Sequence, residues 1–259
     1  MKKVYNSCST ELSLITPPKN GEVIVIAGPT ASGKTSLAIE LALKFNGEVI
    51  SADSRQVYRG LDIGSGKVTQ NEMKGIPHHL IDILDLGQKY SVGRFQQDAL
   101  SLIKQIEFRG RIPIICGGTG LYIESVVEGY DLGSKNKNSK KGYDNKFKVY
   151  LLDWPRSELR QRISDRVDQR MEQGMLEEVQ NLISSGVDPK WLLSLGLEYR
   201  YLTEYIINHL TPSPSPAAEG GNSDLDEMIA KLKFKIYQFA KRQDTWFRRW
   251  DYAKKVKMS

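Results

Sequence analysis

The chain has 259 residues, of which 40% are hydrophobic, and this composition excludes a globally disordered protein. Lysine and arginine number 37 against 31 acidic residues, a net charge of +6 that is compatible with nucleic acid binding without establishing it. The two cysteines, Cys8 and Cys116, show no spacing of a disulfide framework or a zinc site. No apolar run is long enough to span a membrane and the first residues lack the apolar core of a signal peptide, so we expect a cytoplasmic protein without membrane contact. A monomer is the default expectation.

The first half of the chain alternates between short apolar runs and stretches of helical periodicity. Residues 1–21 contain no continuous apolar run and are predicted to be a loose N-terminal extension. The runs that follow are continuous rather than alternating, which is typical of strands buried on both faces of a parallel sheet. They lie at 22–28, 47–53, 78–84, 111–118 and 147–154, with helical segments at 36–45 and 92–110. This order predicts an α/β core over residues 22–155, with a parallel sheet flanked by helices.

The second half, residues 156–259, is predicted to be a mainly helical region. Two segments interrupt the overall pattern. Residues 131–146 are rich in lysine and have little to bury, which predicts a flexible basic loop, and residues 211–223 have the composition of a Pro/Ser/Gly linker. One long helix is predicted after the linker, at 224–250.

The sequence GPTASGKT directly follows the first predicted strand and has the spacing of a phosphate-binding loop. Its glycines let backbone N–H groups close around phosphate oxygens, and the helix that follows adds its partial positive charge. Lys34 would contribute a full charge, and the Thr35 hydroxyl could ligate Mg²⁺. Most chains with such a loop bind ATP or GTP, so the motif predicts a phosphate ligand without naming the reaction. The predicted phosphate-binding residues are Gly28, Pro29, Thr30, Ala31, Ser32, Gly33, Lys34 and Thr35.

Two further polar residues are expected at the edge of the sheet where this loop lies. Asp53 ends the second strand, and ligands of open α/β sheets bind at the carboxyl ends of the strands. It could accept a proton, hold Mg²⁺ through water or cap the following turn; we favour the proton acceptor because Thr35 already serves the metal. Thr119, in the segment CGGTG, offers a hydroxyl among glycines that permit close backbone approach, although a tight strand-to-helix turn explains those glycines equally well.

Three arginines border a buried stripe on the first helix of the second half. Arg162, Arg166 and Arg170 are spaced by four residues, so they lie on one face of that helix. One or two of them could reach a phosphate ligand. A solvated face with local acidic partners is an equally good interpretation.

The last helix combines an apolar stripe with cations and aromatic rings. Gln243 occupies a stripe position where an apolar residue is expected, and Lys241, Arg242, Trp246 and Arg248 lie around it. Cations interleaved with flat rings can hold a phosphate backbone and stack unpaired bases. The alternative is a core helix with a charged outer face. The polar break in the stripe favours the RNA-binding interpretation.

As an ordered set, these motifs resemble one family, the tRNA dimethylallyltransferases, also called tRNA isopentenyltransferases. The matching pieces are GPTASGKT, ISADSRQVYRGLDIGSGK, PHHLID, YSVGRFQQDA, GRIPIICGGTGLYI and AKRQDTWFR, within residues 22–130 and 147–250. The resemblance implies a P-loop NTPase-like fold used for prenyl transfer. The implied reaction moves a dimethylallyl group from dimethylallyl diphosphate to the exocyclic amine of the adenosine 3′ of the tRNA anticodon.

The resemblance also implies roles for individual residues. The phosphate-binding loop would hold the diphosphate, and Lys34 and Thr35 with Mg²⁺, together with Arg166, would neutralise it as it leaves. Asp53 would be the general base, and Thr119 would orient the adenine and its amine. The implied contacts with the anticodon stem-loop of tRNA are Asp53, Ser54, Arg55, Gln56, Leu195, Gly196, Leu197, Glu198, Tyr199, Arg200, Lys241, Arg242, Gln243, Asp244, Thr245, Trp246, Phe247 and Arg248.

The chain departs from the family pattern in two places. Family members usually carry a helical insertion near the position of residue 132, where this chain has only the basic segment 131–146, and Glu198 stands where the family often has glycine. The shortened chain leaves a close alternative, an adenylate isopentenyltransferase acting on a free adenine nucleotide, although the AKRQDTWFR helix favours tRNA. A P-loop small-molecule kinase would need an arginine-rich lid that the sequence does not show. A catalytically silent RNA-binding protein would have no need of Lys34 and Asp53.

Overall fold

The computed structural model describes residues 15–132, 141–209 and 221–258. Within these ranges six strands form one sheet, and every neighbouring pair of strands is parallel. The strands are β1 (Val23–Ala27), β2 (Gly47–Ser51), β3 (His78–His79), β4 (Ile112–Gly117), β5 (Phe147–Asp153) and β6 (Lys254–Lys257). Helices cover both faces of the sheet, which confirms the predicted α/β fold.

The same ranges contain nine helices, four in the first half of the chain and five in the second. They are α1 (Lys34–Phe45), α2 (Gln70–Met73), α3 (Val92–Phe108), α4 (Gly120–Val127), α5 (Arg156–Glu172), α6 (Met175–Ser184), α7 (Pro189–Leu195), α8 (Leu197–His209) and α9 (Gly221–Phe247). The last five form the helical region that the sequence predicts.

Strand β1 lies in the middle of the sheet, whose strand order is β3-β2-β4-β1-β5-β6. All of its residues are buried, because helices cover each face. Val25 packs in a cluster with α3 and α4, whereas Ile24 and Ile26 pack with α1 on the other face. Since β1, β2 and β4 are parallel neighbours, their carboxyl ends bring three loops to one edge of the sheet.

A second core lies where the loop after β2 meets the helical region. Leu192, Leu202 and Leu232, on α7, α8 and α9, have no exposed surface. Val57 and Leu61, from the loop after β2, are buried in the same cluster. The segment that follows Asp53 is therefore fixed by the helical region as well as by the sheet.

The apolar run at 78–84 forms a much shorter strand than predicted. Only its first two residues, β3, pair with β2. The backbone then turns away, since Leu80 has a positive φ of 61°. The backbone N–H of Leu84 donates instead to the carbonyl oxygen of Val57, at 3.0 Å. The strand prediction is wrong beyond β3 because the chain leaves the sheet to pair with the loop after β2.

Both ends of the described chain join the core, which the sequence does not predict. Residues 1–14 lie outside the described residues, but Ile15, in the predicted loose extension, is 2% exposed and packs in the cluster with α1. Strand β6 lies within residues 156–259, which are predicted to be mainly helical, and it pairs with β5 to extend the sheet. Its only buried residue is Val256, and one apolar residue among lysines is too weak a pattern to predict a strand.

Two predicted segments lie partly outside the described residues. These are the basic loop, of which 133–140 is not described, and the linker, of which 211–220 is not described. The remaining linker residues begin α9, so the final helix starts and ends three residues earlier than its predicted range of 224–250. Among the described residues, no helix is both long and apolar enough to cross a membrane.

Candidate active site

The three loops after β1, β2 and β4 surround a cavity of about 760 Å³, which the helical region closes from the other side. The phosphate-binding loop forms one wall of this cavity and leads directly into α1. Gly33 precedes α1 with a left-handed φ of 86°, no side chain caps the helix, and its first turn has no acidic residue. The positive end of α1 is therefore left open to an anion.

Lys34 lies between the phosphate-binding loop and the cavity. Its Nζ donates to the carbonyl oxygen of Pro29 at 2.7 Å and lies 3.5 Å from Oγ of Ser32. Desolvation by the surrounding protein, together with the charge of Arg166, lowers the pKa of Lys34 to about 8. An anion in the cavity would therefore stabilise the charged lysine.

The outer turn of the phosphate-binding loop is held by side chains from beyond β5. Trp154 Nε1 donates to the carbonyl oxygen of Ser32 at 2.9 Å, and Arg162 Nε donates to that of Ala31 at 2.8 Å. The Arg162 guanidinium also stacks on the Trp154 ring, 4.2 Å from its centre. Of the three arginines that were candidates for phosphate binding, Arg162 therefore supports the phosphate-binding loop.

Arg166 and Arg170 lie deeper, on a wall that the main cavity shares with a second one. This second cavity has a volume of about 590 Å³ and is lined by Ala31, Ser32 and Gly33 of the phosphate-binding loop, among other residues. Desolvation, together with the neighbouring Arg170, lowers the pKa of Arg166 to about 9. The residues that line both cavities are Lys34, Thr35, Gly66, Arg166 and Arg170.

Asp53 and Thr119 face the main cavity from the loops after β2 and β4. Asp53 Oδ1 accepts from the backbone N–H of Arg55 at 2.8 Å, which fixes the carboxylate in a turn. Thr119 Oγ1 accepts from the backbone N–H of Ser54 at 3.2 Å. A hydroxyl that accepts in this way still has its own hydrogen to donate. The carboxylate and the hydroxyl therefore line one cavity, in agreement with their expected place at the same edge of the sheet.

The glycines of the loop after β4 are required by close packing. A Cβ on Gly117 would overlap the Ala52 carbonyl, and one on Gly120 would lie 2.6 Å from the Trp246 ring. A Cβ on Gly118 would lie 2.7 Å from Nε2 of Gln243. Each of these contacts is with the protein itself, two of the three with α9, so tight packing at this strand-to-helix turn accounts for the glycines.

Gln243 connects two of the three loops. Its Oε1 accepts from the backbone N–H of Thr30 at 2.9 Å, and its Nε2 donates to the carbonyl oxygen of Gly118 at 2.8 Å. The side chain is buried, with 9% of the residue exposed. The polar break in the apolar stripe therefore corresponds to an amide that ties α9 to both loops.

Comparison with known proteins agrees with this architecture. A family model described as IPP transferase matches residues 56–146 and 132–250, and one described as Isopentenyl transferase matches residues 21–89. The tRNA dimethylallyltransferase 1 of Azobacteroides pseudotrichonymphae is 38% identical, over 88% of this chain and 89% of the relative. The chain belongs to the tRNA dimethylallyltransferase family. The resemblance inferred from the motifs is thereby confirmed.

Solved structures of tRNA dimethylallyltransferases have the same fold. The tRNA isopentenylpyrophosphate transferase of Bacillus halodurans superposes with a TM-score of 0.78 at 32% identity, over 92% of this chain and 90% of that one. A eukaryotic dimethylallyltransferase described as acting on tRNA has a TM-score of 0.73 at 27% identity, over 87% of this chain and 69% of that one.

The comparisons also bear on the segment where family members usually carry an insertion. The alignment with the Azobacteroides tRNA dimethylallyltransferase spans 284 positions, more than the 259 residues of this chain, so the relative has residues that this chain lacks. The two ranges matched by the IPP transferase model overlap at residues 132–146. Both findings agree with a shortened segment near residue 132, which stays a prediction.

The implied tRNA contacts of this family member divide into exposed and buried side chains. Five of these residues are exposed, namely Arg200, Lys241, Arg242, Thr245 and Arg248. Four are buried, namely Leu195, Tyr199, Gln243 and Phe247, and the rest are partly exposed. Leu195, Tyr199 and Phe247 are at most 6% exposed, so they support the surface from inside. The Arg55 guanidinium is also engaged, since it donates to the carbonyl oxygen of Leu195.

The sequence does not identify the carboxylate that shapes the loop bearing Gly66. Glu178, in the first turn of α6, accepts from the backbone N–H groups of Asp62, Ile63 and Gly64, at 3.0, 2.6 and 3.1 Å. Such a set of bonds holds a tight loop against the helical region. In the sequence, the only sign that this loop packs closely against another element is its pair of glycines, Gly64 and Gly66.

Proposed function

We propose that the protein transfers the dimethylallyl group of dimethylallyl diphosphate to the exocyclic amine of the adenosine 3′ of the tRNA anticodon. The observation that carries the proposal is the cationic wall shared by two cavities, with Asp53 and Thr119 on the side of the larger one. A diphosphate on that wall could direct its prenyl group toward an adenine in the main cavity. The names of the relatives, which are tRNA dimethylallyltransferases, support this assignment.

The diphosphate is held by backbone N–H groups of the phosphate-binding loop, by Lys34 and by Arg166. These donors surround the place where negative charge develops as the diphosphate leaves. The donor set also fits Mg²⁺, which keeps several waters and takes one or two protein oxygens besides those of the substrate. Thr35, on the shared wall, would hold the ion, and the ion would neutralise phosphate charge when bound.

Asp53 takes the proton of the adenine amine as the new C–N bond forms, and Thr119 orients the base. An adenine amine is a weak nucleophile, so a positioned carboxylate contributes by removing this proton. The adenosine leaves its stack to enter the main cavity, as enzymes that act on bases require. The segments 53–56, 195–200 and 241–248 then contact the anticodon stem-loop, mainly through phosphates. We place this monomeric enzyme in the cytoplasm with its substrate tRNA.

The proposal is tested by offering two acceptors in parallel. Unmodified tRNA and AMP are incubated with the protein, Mg²⁺ and dimethylallyl diphosphate, and the nucleosides are analysed by mass spectrometry. We expect prenylated adenosine from tRNA. Prenylation of AMP alone would overturn the tRNA assignment, and the absence of any prenylated product would overturn prenyl transfer altogether.

The role of Asp53 is tested by the variant Asp53→Asn, which preserves the shape of the side chain. We expect turnover to fall by about 10²- to 10⁴-fold, the usual contribution of general base catalysis. Affinity for inorganic pyrophosphate should remain close to that of the wild type. A large loss of pyrophosphate affinity would instead assign Asp53 to the metal site.

A further inference from the structure

We propose that Arg170 is a second arginine that binds the diphosphate, and that Glu198 is the resident carboxylate it exchanges for the ligand. This inference rests on the proposed function, since it adds one residue and one exchange step to the same anion site. Among the three arginines that lie on one face of α5, it separates Arg170 from Arg162, whose guanidinium supports the phosphate-binding loop.

The geometry places Arg170 beside Arg166. The two residues are one helical turn apart on α5, and a Cβ on Gly66 would overlap Nη2 of both side chains. The two guanidinium groups therefore meet over the same glycine and are in contact with one another. Gly66 also has a left-handed φ of 62°. Both arginines line both cavities, so this contact lies on the shared wall.

The electrostatics of this contact require an anion. Arg170 is 7% exposed, and its Nη2 is buried without a hydrogen-bond partner among the described residues. Two adjacent cations removed from water repel each other and lose hydration. A diphosphate carries several negative charges and oxygens in the geometry that a guanidinium fork prefers. It would satisfy both arginines at once.

Glu198 is the one carboxylate that pairs with Arg170 among the described residues. Its Oε1 lies 3.3 Å from Nη1 of Arg170, which also donates to the carbonyl oxygen of Gly64 at 3.2 Å. Charge-assisted bonds are usually shorter, about 2.7–2.9 Å. A single carboxylate at this distance is a weak partner for two guanidinium groups, and a multiply charged anion would displace it. The carboxylate and the diphosphate therefore compete for Arg170.

The test measures affinity for inorganic pyrophosphate and for dimethylallyl diphosphate by calorimetry, in the presence of Mg²⁺. We expect Arg170→Met to weaken both ligands by about 10- to 100-fold, the range for one lost charged hydrogen-bond partner. Arg156→Met, which removes a charge from an exposed position on the same helix, is the matched control and should bind as the wild type does. Wild-type affinity in Arg170→Met would overturn the inference.

A loss in Arg170→Met could come from the carboxylate that it leaves unpaired. The double variant Arg170→Met/Glu198→Gln removes that carboxylate, and we expect the loss of affinity to persist. Glu198→Gln alone should strengthen binding by about 3- to 10-fold, because the competing carboxylate is gone. Full recovery in the double variant, or weaker binding in Glu198→Gln, would overturn the inference. Since Glu198→Gln keeps both arginines, it still tests the exchange if Arg170→Met fails to fold.

These outcomes are distinct from failure of the proposed function. If the wild-type protein binds dimethylallyl diphosphate and prenylates tRNA while Arg170→Met binds as tightly, only the role of Arg170 fails. If the wild-type protein binds neither ligand, the proposed function itself fails. A purely structural Arg170 would lower the melting temperature and leave the affinity of the folded protein unchanged, and this result would also overturn the inference.

Discussion

The cations on the shared cavity wall and those on α9 differ in their exposure to water. Lys34 and Arg166 are partly buried and Arg170 is buried, whereas Lys241 and Arg242 are exposed. The enclosed group has lowered pKa values because desolvation disfavours its charge. Enclosed cations at fixed positions suit a small anion, while exposed cations suit a polyanion whose binding is screened by salt. The two groups should therefore respond differently to substitution, pH and salt.

Among substitutions of these cations, the largest effect is expected from Lys34→Ala, in the enclosed group. We expect kcat/KM for dimethylallyl diphosphate to fall by about 10²- to 10³-fold, as for other lost donors to developing charge. Affinity for tRNA, measured by filter binding, should change little. A comparable loss of tRNA affinity would remove the distinction between the two groups of cations.

Gln243 links the two regions, because it lies on α9 while its side chain is hydrogen-bonded to two loops of the cavity. We expect Gln243→Leu to lower the free energy of unfolding by about 1–3 kcal/mol, because it leaves buried backbone groups unsatisfied. Prenylation should slow by about tenfold as the loops lose their alignment. Gln243→Glu keeps the oxygen that accepts from Thr30, and in its protonated form the O–H can donate to Gly118, so at low pH it should lose less. Chemical denaturation and single-turnover kinetics measure these effects; equal losses in both variants would contradict the bridging role.

The pH dependence should distinguish the two groups without any substitution. Since the pKa of Lys34 is lowered to about 8 and its charged form binds the anion, its contribution to diphosphate affinity should be constant below that pKa and decrease above it. The fall is at most about tenfold per pH unit for a single group. Lys34→Arg, whose guanidinium has a higher intrinsic pKa than an ammonium, is the control and should move the fall in affinity to higher pH. Calorimetry with inorganic pyrophosphate would show whether the profile follows Lys34.

The smallest effect is expected from Lys241→Ala/Arg242→Ala on the exposed face of α9. We expect tRNA affinity at low salt to fall by about 3- to 10-fold, and the slope of log affinity against log salt to decrease by about two. The KM for dimethylallyl diphosphate should stay the same. Lys44→Ala/Lys104→Ala removes the same charge from exposed positions near the opposite edge of the sheet and should not change the slope. An unchanged slope in the α9 variant would exclude this face from phosphate contact.

The sequence predicts the elements whose signal is local. β1 is a continuous apolar run followed by a complete phosphate-binding motif, so both its burial and its loop can be inferred. Asp53 and Thr119 follow strands, and the parallel arrangement of those strands is enough to place them at one edge. The apolar run at 78–84 shows the limit, because its partner Val57 lies in an irregular loop that no pattern identifies.

The rest of the site depends on contacts between distant parts of the chain. The polar break at Gln243 is visible in the sequence, but its partners Thr30 and Gly118 are not, since each belongs to a different loop. Helical spacing places three arginines on one face without separating Arg162, which supports a loop, from Arg170, which contacts Arg166. The different roles of these two arginines depend on Gly66 and on the loop that Glu178 holds in place.

The two edge strands of the sheet affect whether molecules of this protein aggregate at high concentration. An exposed, regular edge strand can recruit a strand from another molecule and start aggregation. At one edge, β3 is only two residues long and offers little backbone for such pairing. At the other, β6 carries exposed lysines on either side of the buried Val256. Pairing of two such edges would bring like charges together, so the chain's last strand completes the sheet and also discourages its further growth.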